Sequence, residues 1–157
     1  MAGEAMLSKR ALTITRGVWW ALLVVQLFFG MGAVLVVGYR PGLEAVIDPP
    51  WPLYAVAAVA LVVLAVAGYM IRRRLYQRRR RDDGAVQPDA YLTGNLVLLI
   101  SMGVMGVAGM GVALAAMSMF PAVYITLAAL SVQVVNMPTG DPLEPGRYAD
   151  DQTPKSA

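Results

Sequence analysis

Three stretches of this chain contain no Asp, Glu, Lys or Arg: Gly17 to Val37, Pro49 to Ile71 and Ala90 to Pro138. A helix rises about 1.5 Å per residue, so ~20 apolar residues match the ~30 Å hydrocarbon core of a bilayer. The chain is 58% hydrophobic and 15% charged. A soluble domain typically carries ~25% charged residues. These runs read as the spans of an integral membrane protein, and the lipid bilayer is its first partner.

Four spans fit the pattern: residues 17–39, 51–71, 91–119 and 120–137. The last two are separated only by Pro121. One unbroken helix of about 47 residues would be ~70 Å long, far more than a bilayer accommodates. The chain must therefore turn near "MSMFP", and Pro121 suits the first turn of a new helix. The expected fold is all-α, with the third and fourth helices forming a tight antiparallel hairpin over Ser118 to Pro121. The first run has a long charged leader and no small-x-small cleavage site, so it reads as an uncleaved anchor. Residues 1–16 form an N-terminal segment, the first eight of them expected to be disordered. Residues 72–90 form a basic loop. Residues 138–157, "PTGDPLEPGRYADDQTPKSA", are rich in proline, lack apolar periodicity and are expected to be a disordered tail.

Basic residues in short loops set orientation. Lys9, Arg10 and Arg16 precede the first span, and Arg72, Arg73, Arg74, Arg78, Arg79, Arg80 and Arg81 fill the second loop. The first loop has Arg40, beside Glu44 and Asp48. Both termini are therefore expected in the cytoplasm, and in a bacterium the membrane is the inner one. The same position argues against nucleic acid as the partner of the arginines. They read as a topology signal, or as a contact for anionic lipid headgroups.

The chain has no cysteine and no histidine. That removes disulfides, zinc or haem ligation through Cys or His, and every Ser–His or Cys–His device. Transporters and pumps commonly mark their path with an ionisable group inside the membrane. The spans hold only neutral polar residues: Gln26, Asn95, Ser101, Thr126, Ser131, Gln133 and Asn136 among them. No cofactor, metal or catalytic residue is expected, and the protein is read as a non-enzyme. "GVAGMG" lies in mid-span, without the strand and helix start that a dinucleotide site needs. The ten methionines lack the convergence of a copper site and read as flexible packing.

What the spans do offer is small residues, which let membrane helices approach closely. Asn95, Leu99, Met102, Gly106, Gly109, Ala113 and Ala116 share one seam of the third span, and Gly103 and Gly111 add to its small residues. Ala122, Thr126, Ala129, Gln133 and Asn136 share one seam of the fourth. Gln26, Asn95, Ser101 and Asn136 are candidates for hydrogen bonds between helices. Counting outward from the turn sets Asn136 near Ser101.

The alternation Gly109, Gly111, Ala113, Ala115 resembles the inner helix of rotary ATPase proteolipids, the c-subunit family. The basic middle loop and the Tyr-led third span, "RRRLYQRRRR" and "YLTGNLVLLI", are also similar to small four-span bacterial proteins of that type. The resemblance covers Ile71 to Met119 and implies a hairpin that oligomerises in the membrane. The family's ion-carrying carboxylate has no counterpart here, so the resemblance implies packing without an ion site. The sequence thus points to a structural or accessory subunit, bound to itself or to other membrane subunits through its small-residue seams. The alternatives are a proteolipid-like or channel-like transport component and an anionic-lipid-binding protein.

Overall fold

The computed structural model describes residues 2–39, 51–120 and 122–145; the expected first loop, 40–50, and the end of the tail lie outside them. Among the described residues four helices follow one another: α1 (Ala2–Tyr39), α2 (Trp51–Arg78), α3 (Pro88–Ala115) and α4 (Ala122–Val135). A 3₁₀ turn, Asp141–Leu143, comes after α4. The fold is all-helical, and α1, α2 and α3 are each long and apolar enough to cross a membrane. With 14 residues, α4 is shorter, at about 21 Å.

The third helix is the hub. It packs along α1, α2 and α4, while α2 and α4 touch more lightly. Its buried side chains include Leu98, Leu99, Met102, Met105, Met110 and Ala113. Leu61 of α2 and Ile125 and Ala129 of α4 close on Leu98, Met102 and Met105. By contrast, α2 buries only Leu61 and Gly68. Phe28 on α1 and Val56 on α2 are 71% and 67% exposed, so the apolar surface of the two long helices is turned outward.

The structure moves several expected boundaries. The helix of the first span begins at Ala2, so residues 2–8, expected to be disordered, have a helical backbone. Its early turns pack: Ala11 is buried with Val86, Ala90 and Tyr91, with Leu143 against them. The basic loop is shorter than 72–90, because α2 runs on to Arg78 and α3 starts at Pro88. Pro88 has no N–H to leave unbonded at a helix start. An antiparallel bridge pairs Arg80 with Val86 across the loop, and Gly84 supplies the left-handed turn with φ 84°.

The tail is also corrected as far as Pro145. Two carbonyls, those of Pro138 and Thr139, accept hydrogen bonds from Arg16. The Pro142 carbonyl accepts from the Val86 N–H. Proline-rich chain needs such outside partners because it cannot satisfy its own backbone.

The expected turn at Ser118 to Pro121 ends outside the described residues, and α3 stops before it, at Ala115. Ser118 N–H bonds the Ala113 carbonyl at 3.1 Å, and Met117 N–H bonds that of Leu114 at 3.3 Å. This 6→1 and 5→2 pair is a Schellman ending. Met117 takes the left-handed position at φ 46°, where glycine is usual.

Candidate functional site

Two polar clusters bind the helices together, one within the apolar zone and one at its basic end. Glycines on α3 make room for both. A side chain at Gly94 would meet Arg72 and Tyr76 of α2, one at Gly103 would meet Leu22 of α1, and one at Gly106 would overlap the Gln26 carboxamide. At Gly109 it would overlap the Thr126 hydroxyl of α4. The expected single seam between α3 and α4 is therefore divided: the small residues of α3 serve all three neighbours. The reason is angular, since Gly103, Gly106 and Gly109 each advance about 300° around a 3.6-residue helix and so drift across its surface.

The inner cluster centres on two amides. Gln26 of α1 donates through Nε2 to Gln133 Oε1 of α4 at 2.7 Å, and both side chains are buried. The Trp19 indole donates to the Gln133 carbonyl at 2.9 Å. Gln133 Nε2 in turn donates to the Trp19 carbonyl at 3.3 Å. Thr126 Oγ1 donates to the Gly106 carbonyl at 3.1 Å, tying α4 to α3. Gln26 Oε1 is buried without a partner, an arrangement that costs about 1–3 kcal/mol of desolvation. Its orientation is fixed by the pair itself, because turning the amide would set two oxygens together.

At the basic end, Arg16 of α1 holds the Pro138 and Thr139 carbonyls. Arg72 of α2 donates to Asn136 Oδ1 at 2.7 Å. One arginine from each flanking helix thus grips the chain as it leaves α4. Asn95 Nδ2 donates to the Tyr76 hydroxyl at 2.6 Å and to the Tyr91 carbonyl at 2.9 Å. The Tyr76 and Tyr91 rings stack at 6.1 Å. Beyond them, Arg79 approaches Asp89 at 3.8 Å and Arg81 approaches Asp83 at 3.7 Å. The first of these pairs is exposed and contributes little stability.

Among the expected packing residues, Gly103, Gly106, Gly109, Ala113, Ala116, Ala122, Thr126, Ala129 and Gln133 are buried inside the chain. Gly111 is exposed, with open space beyond it. Of the candidates for hydrogen bonds, Gln26, Asn95 and Asn136 reach another helix. Asn136 does not meet Ser101: Ser101 bonds its own helix at Val97, and Asn136 turns to Arg72. Of the seven arginines of the loop, Arg72, Arg73, Arg74 and Arg78 extend α2, while Arg79, Arg80 and Arg81 follow it.

Sequence reading missed Arg16 and Trp19 as contacts between helices, and Gly68 and Gly94 as close approaches between α2 and α3. A Cβ at Gly68 would lie 3.0 Å from Leu98. A signal was present there, since Gly68 is the one glycine in an otherwise bulky or Ala-rich span. Among the described residues no group of three or more Asp or Glu could hold a metal ion. Neither protein-family models, curated proteins nor solved structures match this chain.

Proposed function

We propose that this chain is a four-span integral membrane protein, with both termini in the cytoplasm, acting as a non-catalytic structural or accessory subunit. In a bacterium its place is the inner membrane. The observation that carries the reading is the use made of the buried polar side chains. Gln26, Gln133 and Thr126 bond other helices of the same chain, and the three apolar runs hold no ionisable Asp, Glu, Lys or Arg. A path for ions or protons would want such groups turned toward water. Here the polar groups close the bundle instead. Orientation follows from the ten basic residues at positions 9, 10, 16, 72–74 and 78–81 under the positive-inside rule. The short α4 is covered by α3 on one side, which lets a span below bilayer length persist.

The small-residue seams are largely consumed within the chain, so association rests on what remains outside. Native mass after mild extraction tests the reading. A homo-oligomer or a larger complex is expected; a bare 16.8 kDa chain with no companion overturns it.

A proteolipid-like association is the second reading, and one observation favours it. Ile100, Val104, Ala108 and Gly111 form an exposed strip of α3, and Gly111 has open space where a neighbouring helix could approach. On this reading Gly111→Leu leaves the monomer folded and lowers the oligomer's mass. An unchanged mass removes it.

A further inference from the structure

Arg72 is a partly buried cation with neutral partners. Its guanidinium donates to the Asn136 carboxamide and lies 5.6 Å from the centre of the Tyr69 ring. Neither carries a charge to offset its own. It borders a hollow of about 270 Å³, walled by Tyr69, Arg73, Tyr76, Gln77, Arg80 and Val86. Positions 69, 72, 73, 76 and 77 recur at three- and four-residue spacing, so they form one face of α2, and Arg80, in the bridge past the helix end, closes the hollow.

Toward the apolar zone that face runs into Val62 and Val66, both more than half exposed and in line with Tyr69 and Arg73. One surface therefore offers an apolar track, an aromatic ring at the border and two guanidiniums past it. A partly desolvated arginine takes an anion, and its planar fork suits phosphate oxygens.

From this juxtaposition we infer that the hollow binds the phosphate of an anionic phospholipid, whose acyl chain lies along Val62 and Val66. Arg72, pre-set by Asn136 and Tyr69, is the fixed donor. Arg73, exposed at the rim, is the second. Gln77 adds a neutral polar side chain to the wall of the hollow. The inference rests on the membrane reading above. It goes beyond a diffuse attraction of the arginine loop, because it assigns the phosphate to Arg72 and Arg73 and leaves Arg74 and Arg78 outside the hollow.

The test compares full-length protein, solubilised gently and given phosphatidylglycerol or phosphatidylcholine, by native mass spectrometry of retained lipid. One phosphatidylglycerol is expected per chain, with phosphatidylcholine retained at least tenfold less. Arg73→Gln, a change at an exposed position, should weaken retention several-fold, and Arg72→Gln with Arg73→Gln should abolish it. Arg74→Gln with Arg78→Gln removes the same charge from α2 outside the hollow and should leave retention unchanged. Equal loss in both pairs, or no loss in either, overturns the site. Displacement of the lipid by millimolar inorganic phosphate overturns the lipid as occupant. Carbonate extraction of the same variants reports separately on membrane integration, so a failure of that reading is told apart from a failure of the site.

Discussion

Gln26 occupies a position where leucine would pack with no polar cost, and its amide is half satisfied. Replacing it leaves Gln133 Oε1 buried and without its donor. Gln26→Leu should therefore destabilise the protein by about 1–2 kcal/mol in a denaturant titration. The cycle with Gln133→Leu should show coupling of roughly 0.6 kcal/mol, and not above ~1.7, the range for such bonds inside membranes. Gly106 depends on the same amide. In the native background Gly106→Ala pushes the Gln26 carboxamide off Gln133 and should lower stability. In a Gln26→Ala background the obstacle is gone, and alanine's helix propensity, about 1 kcal/mol above glycine, should make the same change neutral or stabilising. No reversal of sign would mean that Gly106 acts through something other than Gln26. Both glutamines stand out in the sequence as polar groups in apolar runs. That they meet does not, because the pair spans 107 positions and depends on how α1 docks against α3. The bond from Trp19 to the Gln133 backbone belongs to the same docking.

Among the elements, the turn after α3 carries its own test. Met117 holds a left-handed backbone that costs a side-chain-bearing residue about 1–2 kcal/mol. Met117→Gly should raise stability by about 1 kcal/mol, less the loss of its partly buried side chain. A destabilised variant would show that the methionine's packing outweighs its backbone. The segment after α4 is a second case. Arg16→Gln should speed amide exchange in residues 139–144 at least tenfold while α3 remains protected. Unchanged exchange would show that the bond from Val86 to Pro142 suffices alone. The apolar runs and the break at Pro121 made the helices and their order legible. Their ends were less so. Cooperative docking of α1's first turns, of residues 72–78 and of the segment after α4 extended order into chain whose composition resembles a linker. Local composition carries no information about such partners.

Across the whole molecule, the absence of cysteine makes orientation directly measurable. Asp82→Cys should be labelled by an impermeant thiol reagent only after the membrane is opened, and Ala45→Cys from intact cells. The opposite pattern would reverse the bundle. On the proposed reading, helices closed on one another by their polar groups form a structural piece of something larger. Native mass of the gently extracted, full-length protein tests it most directly. A mass of at least two chains, or of one chain with a stoichiometric companion, stable to dilution, is expected. A single chain of 16.8 kDa with bound lipid alone, at every concentration and in every mild detergent, would contradict it.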